Sequence, residues 1–334
     1  MNTNPREYQL DYIKGILIYL VVLGHCLYWT NETIPLRTYI AEYIYSFHMP
    51  FFILLSGYFF SKNKTLQFHK LISKQAKRLL YPHFFFNLIM LVPIFLFWQI
   101  FNYYITKEGM GHITFKSIYN YLTMFWYLWC VFFCSIIVNI IFLKTKKATK
   151  WMFLTAVALF ICQYITPTKV FFIHQQMSDQ FIFFAIGIWL YDNKNQLKQK
   201  RIYSVIAFII YFVCLYLNFK KVVNSNAIFH CLMAMSGIIF HYYLWESIYK
   251  RKFFYKQFLL VSQYTLGIYI YHFPILKLLI ETKIYSKMLN IFSFPPILID
   301  LVVAGFIVIV TACLIILMKK STYLKQYALG ESAY

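Results

Sequence analysis

Asp11, Lys14, His25, His48 and His272 are among the side chains able to do acid–base chemistry in or at the edge of long apolar runs of this 334-residue chain. An imidazole titrates near neutral pH, so a histidine held in such a run can serve as general base or nucleophile. An ionisable group at bilayer depth costs at least ~2.5 kcal/mol and is rarely kept without a partner or a task. In the first run, LDYIKGILIYLVVLGHCLYW, His25 follows Lys14 by eleven residues. At about 100° per residue that interval returns to within ~20° of the start, and Asp11 falls within ~40° of His25. All three project from one helix face, whose rise from Lys14 to His25 is about 16 Å. The lysine alone is equally well explained as a snorkelling interfacial residue paired with Asp11, and the histidine as one hydrogen-bonded in a bundle. Together, with Gly15 and Gly24 beside them, they read as a lined cavity.

The second run opens IYSFHMPFFILLSGYFF, which brings His48 close to the depth of His25, next to Pro50. Its Ser56-Gly57 pair would let a helix or a ligand approach closely; small-residue packing accounts for it equally well. A late run, YTLGIYIYHFPIL, sets His272 at a comparable level beside Pro274. A three-histidine metal site is conceivable. Against it, the histidines lack helical i, i+3 or i+4 spacing and no Cys or carboxylate groups with them. Asp179 and Asp300 read as helix N-terminal caps, and Glu246 with Lys250 as a helical ion pair.

The elements that must position these residues follow from composition. Apolar residues make up 61% and charged residues 13% of the chain, about half the charged share of a soluble globular protein. Ten runs are long enough to cross ~30 Å of hydrocarbon: roughly 14–31, 42–61, 80–105, 121–143, 151–166, 179–191, 203–219, 227–248, 257–280 and 297–318. The sixth is short, so it is broken or begins earlier. The expected fold is all-α, a polytopic membrane bundle of about ten helices forming a single domain over 1–334. The first run has no cleavage pattern after it and is expected to remain as the first helix.

The net charge of +21 would suggest nucleic acid in a soluble protein, but the charges fall in short clusters between apolar runs and exclude that partner. Alternate connections hold 22 and 8 Lys and Arg. That bias places both termini in the cytoplasm of a plasma-membrane, multi-pass protein. The inner connection SKNKTLQFHKLISKQAKRLLYPHFF carries Lys70, Lys74, Lys77 and Arg78 at helical spacing. Positive-inside anchoring explains most of it, and the same cluster could hold the phosphates of an anionic ligand. Seven cysteines, all within apolar runs, read as membrane-buried thiols.

These strings, a basic residue and a histidine separated by ten positions, then FHMPFFILLSGYFF, KRLLYPHFF and TLGIYIYHFP, resemble membrane acyltransferase family 3 over about residues 8–320. DYIKGI, VVLGH and FHMPFF are similar to its sugar O-acetylase branch, related to fucose 4-O-acetylase. The resemblance implies transfer of an acyl group, usually acetyl from cytoplasmic acetyl-CoA, to a hydroxyl of a cell-surface or lipid-linked glycan, with His25 essential. The family usually has arginine where Lys14 stands, and often two arginines three residues apart where Gln75 and Arg78 stand. The implied mechanism has acyl-CoA phosphates near Lys74, Lys77 and Arg78 and the thioester approaching His25. His25 is general base, or an acyl relay, while His48 and His272 orient the acceptor and Asp11 pairs Lys14. No bound cofactor is expected, only acyl-CoA as donor, besides the glycan or glycolipid acceptor and membrane lipids. The competing class is a flippase or polymerase of surface polysaccharide, for which pseudo-symmetric halves or a large outer loop would be expected.

Overall fold

The structure is a computed structural model that describes residues 7–29, 34–62, 67–89, 125–165, 172–195, 201–222, 227–252, 254–291 and 295–331. Among these residues the regular structure is helical, without strands, as expected where backbone groups must be satisfied within each segment in lipid. Six helices are long and apolar enough to cross a membrane, or seven if one sharply bent pair counts as a span. The protein is therefore an all-α, multi-pass membrane protein. Most of the expected span 80–105 lies outside the described residues.

The chain forms two compact units, Met1–Phe59 with Ile186–Ile316, and Phe60–Ala185 with Leu317–Tyr334. In chain order the helices are α1 Tyr8–Trp29, α2 Pro35–Tyr45, α3 His48–Lys62, α4 Phe68–Gln75, α5 Trp126–Lys144, α6 Ala148–Ile165, α7 Phe172–Asp192 and α8 Arg201–Phe219. They continue as α9 Ala227–Lys250, α10 Tyr255–Ser262, α11 Thr265–Glu281, α12 Ile284–Ile291, α13 Pro296–Met318 and α14 Thr322–Tyr327.

In the first unit α1 is the central element. Tyr12, Ile13, Leu17, Ile18, Val21, Val22 and Cys26 are all buried on it, and its neighbours approach closely where it lacks bulk. A Cβ on Gly15 would lie 2.1 Å from the Phe258 carbonyl oxygen on α10, and one on Gly24 would lie 3.4 Å from the Tyr45 ring. The two glycines thus serve helix approach rather than open a cavity, in contrast to the expectation from sequence. Similarly, Gly187 on α7 lets the Leu54 backbone of α3 come within 2.0 Å of where its Cβ would stand.

Two expected spans have a different form. The second begins earlier, at Pro35, and breaks at Ser46-Phe47. Pro50 falls in the first turn of α3, where its missing N–H costs least, and Ser46 Oγ turns back to the Tyr43 carbonyl at 2.7 Å. The ninth span is divided into α10 and α11, bent by 89°. At that corner Ser262 Oγ bonds the Leu259 carbonyl at 2.8 Å, a side-chain bond of the type that competes with helix continuation. The short sixth run begins earlier, at Phe172.

In the second unit α4 passes into a π-helical turn, Ala76–Leu80, and helical backbone continues over 81–89. The C-terminal segment packs on this turn. The Tyr327 ring stacks on Tyr81 at 5.7 Å, and Gly330, at φ +66°, leaves only 2.4 Å between an added Cβ and the Arg78 carbonyl oxygen.

Candidate active site

The first unit brings together the residues at the two ends of the α1 face. At one end Lys14 Nζ lies 2.7 Å from Asp11 Oδ1 and 4.7 Å from the centre of the Phe59 ring on α3. At the other, His25 faces three rings, His272 at 5.2 Å, Phe273 at 6.1 Å and Tyr45 at 6.3 Å between centroids. Tyr45 in turn lies 5.1 Å from His48. Since α1 is one unbroken helix, the same face meets the antiparallel α2–α3 run twice, at Phe59 beside Lys14 and at Tyr45 beside His25.

The hydrogen bonds fix the tautomers of two of these histidines. His48 Nδ1 donates to the Ile44 carbonyl and His272 Nδ1 to the Ile268 carbonyl, each at 2.7 Å. A backbone carbonyl only accepts, so both rings carry their proton on Nδ1 and present a bare Nε2 when neutral. His272 Nε2 has no hydrogen-bond partner, and neither does Nδ1 of His25. His25 itself is only half-buried, whereas His48 and His272 are buried. An imidazole with an uncommitted, buried ring nitrogen, set against a second imidazole with a bare lone pair, can take a proton from a hydroxyl brought into contact with it. Among the described residues no group of three or more His, Cys, Asp and Glu side chains is arranged to hold a metal ion.

A buried charged cluster stands beside this group. Arg37 of α2 grips Asp300 of α13 with both arms of its guanidinium, Nε to Oδ2 at 2.8 Å and Nη2 to Oδ1 at 2.7 Å. Tyr285 of α12 donates to the same carboxylate. Arg37 is 1% and Asp300 0% exposed. Burial pushes the Tyr285 phenol up, so it remains a donor. Asp300 is therefore an ion-pair partner and not a cap, and Arg37 is not a free charge of an outer loop. Asp179, also expected to cap, lies inside α7 because that helix starts at Phe172.

A second network braces the α2–α3 break. His241 Nδ1 donates to the Gly237 carbonyl at 2.7 Å, leaving Nε2 to accept from the Tyr43 hydroxyl at 2.5 Å. The His241 ring stacks on Phe47 at 3.8 Å, and the Tyr211 hydroxyl reaches the Tyr43 carbonyl at 3.1 Å and Ser46 Oγ at 2.8 Å. Sequence reasoning missed Tyr45, Arg37 and His241. Arg37 stands out as a charged residue next to an apolar run and His241 as an ionisable residue within one, whereas nothing singles out Tyr45 among 30 tyrosines. Of the remaining expected site residues, Ser56 spends its hydroxyl on the Phe52 carbonyl at 2.9 Å.

In the second unit Lys74, Lys77 and Arg78 are exposed and Gln75 is buried. Lys77 and Arg78 thus project from the π-helical turn, a backbone distortion of a kind that recurs at functional sites, and Lys74 from the end of α4 just before it. Glu246 and Lys250 form the expected pair, at 2.9 Å. All seven cysteines are free thiols, Cys162 and Cys313 of them exposed.

The family model described as an acyltransferase domain, acyltransferase family 3, matches residues 7–318. The chain is similar to "Nodulation protein NolL" of Sinorhizobium fredii, 31% identical over 155 residues, 45% of this chain and 40% of that protein. It is also similar to "Nodulation protein NolL" of Mesorhizobium japonicum, 30% identical over 146 residues, 42% of this chain and 37% of that protein. The matched stretch thus spans about two fifths of the length of these curated relatives. No solved structure matches.

Proposed function

The chain belongs to acyltransferase family 3, and from that premise we propose that it is a membrane O-acyltransferase that moves an acetyl or related acyl group from acyl-CoA to a hydroxyl of a glycan or glycolipid. The observation that carries this reading is His25, half-buried, with Nδ1 unpartnered and a second imidazole 5.2 Å away between ring centres.

In the proposed reaction His25 takes the proton of the acceptor hydroxyl as its oxygen attacks the thioester carbonyl carbon. The carbon–sulfur bond then breaks, and the proton passes from His25 to the leaving thiolate, so that ester and free thiol are formed and the imidazole is regenerated. His272 suits a supporting part. With Nδ1–H committed to Ile268, its Nε2 can accept a hydrogen bond from the acceptor hydroxyl or from protonated His25. His48, committed to Ile44 in the same manner, would orient the acceptor through Nε2. The Lys14–Asp11 pair at the other end of the face would steer the donor arm, as a charge already neutralised and with its stem on Phe59. The exposed Lys74, Lys77 and Arg78 of the second unit suit an anionic ligand, such as the phosphates of an acyl-CoA. The charge bias of the connections supports a cytoplasmic donor side and a plasma-membrane location.

The test is transfer of radiolabelled acetyl from acetyl-CoA to glycan in membranes containing wild type or His25→Ala at matched levels. General acid–base catalysis contributes about 10²–10⁴ in rate, so incorporation should fall to background. Substantial incorporation by His25→Ala would overturn the assignment.

A further inference from the structure

Two buried nitrogens of the site lack a hydrogen-bond partner, and they belong to neighbouring rings. His25 Nδ1 and His272 Nε2 are both enclosed and unpartnered, and their rings stand 5.2 Å apart between centres, with planes inclined by 36°. A ring nitrogen lies about 1.15 Å from its ring centre, so two imidazoles joined by an in-line N–H···N bond of about 2.9 Å have centres about 5.2 Å apart. The separation is thus already that of a bonded pair. Alignment needs only a turn of the His25 ring about its outermost torsion, which is soft.

One proton satisfies both atoms in a single way. His272 spends its Nδ1–H on the Ile268 carbonyl at 2.7 Å, so its Nε2 is an acceptor in the neutral ring. Were His25 to carry its proton on Nε2, the form that neutral histidine favours in water, two bare lone pairs would be enclosed side by side without a donor. With the proton on Nδ1, His25 donates to His272 and both atoms are paired. The other nitrogen of His25, Nε2, has no partner among the described residues and is not enclosed, so it is the atom that an incoming hydroxyl can reach. His48 cannot take the place of His272. Its Nδ1 is likewise committed, to Ile44, but the Tyr45 ring stands between, 6.3 Å from His25 and 5.1 Å from His48.

We propose that His272 is a positioning residue that holds His25 in its Nδ1–H form, so that Nε2 of His25 is the base for the acceptor hydroxyl. The reaction step rests on the acyltransferase reading, while the hydrogen bond between the rings does not. When Nε2 takes the hydroxyl proton, the imidazolium keeps its Nδ1–H on His272 and is stabilised there until Nε2 returns the proton to the thiolate of the donor. In serine proteases a buried carboxylate does this work. Within an apolar bundle that carboxylate would add a costly charge, whereas an imidazole of fixed tautomer supplies the acceptor without one.

The test reads the tautomer directly. The full-length protein, with ring-¹⁵N histidine, is studied by ¹⁵N NMR in mildly alkaline buffer, and His25 is identified by difference from His25→Gln. Nδ1–H should exceed Nε2–H at His25 by about fivefold or more, the effect of one net hydrogen bond. His272→Leu, which removes the acceptor, should return the proton mainly to Nε2. His272→Gln, whose carbonyl oxygen can stand near the position of Nε2, should keep it on Nδ1. In acetyl transfer the Leu variant should lose about a hundredfold in turnover and the Gln variant about tenfold, with little change in donor KM for either. A proton mainly on Nε2 in the wild type, an unchanged tautomer in His272→Leu, or equal turnover of the two variants would each overturn the proposal. A wild type that holds the Nδ1–H form yet transfers no acetyl would instead overturn the acyltransferase reading and leave the pairing of the rings established.

Discussion

Replacing Asp300 with Asn tests the buried charge cluster most directly. The substitution keeps the volume and removes the charge, leaving the Arg37 guanidinium, 1% exposed, with no counter-ion on a carboxamide that cannot accept both of its arms. Breaking a buried ion pair in this way costs about 3–5 kcal/mol, most of it the uncompensated charge, while replacing both partners with apolar groups of similar volume is often close to neutral. The pair of experiments is therefore Asp300→Asn alone and Arg37→Met with Asp300→Leu together. For a chain of this size ~2 °C per kcal/mol is a reasonable conversion, so the single variant should lose about 6–10 °C of thermal stability in detergent. The double variant should recover more than half of that. Tyr285 donates to the same carboxylate, so a residual deficit in the double variant should shrink when Tyr285→Phe is added. A loss under 2 °C in Asp300→Asn, or a double variant no more stable than Asp300→Asn, would refute the account.

Gly15→Val should destabilise the protein by about 1–3 kcal/mol through overpacking, since its Cβ would meet backbone at 2.1 Å on α10. The check is thermal unfolding, with Gly24→Ala as the milder control because its nearest neighbour is a side chain at 3.4 Å. His272→Gln should lower turnover about tenfold with little change in KM for the donor, the pattern of an interaction made chiefly in the transition state. A change confined to KM would assign His272 to binding instead.

The sequence was most legible where candidate residues share one helix. Asp11, Lys14 and His25 belong to α1, whose periodicity alone sets their common face, and Glu246 with Lys250 is likewise a single-helix relation. Partners distant in the chain were not legible. Arg37 and Asp300 lie 263 positions apart, and nothing in either neighbourhood names the other, so one was read as a loop charge and the other as a cap. The corner between α10 and α11 was hidden because apolar residues continue on both sides of it. Its signal, the polar sequence Ser262-Gln263, is too short to interrupt a hydropathy window. Tyr45 was missed for a different reason, since its meaning comes only from standing between His25 and His48.

Chain ends are ordinarily where truncation and fusion do least harm. Residues 328–330 do not follow that pattern, because Ala328 and Leu329 are buried and Gly330 sits against the carbonyls of Lys77 and Arg78. This segment acts as a wedge beneath the turn that presents the basic side chains. During synthesis that turn emerges early and waits uncovered until the wedge is made, some 250 residues later. A reporter fused directly before Ala328 would keep α14 whole yet leave the basic turn without its support. Topology mapping by such fusions should therefore place the junction beyond Glu331 and read any loss of stability in shorter fusions as a defect of the turn.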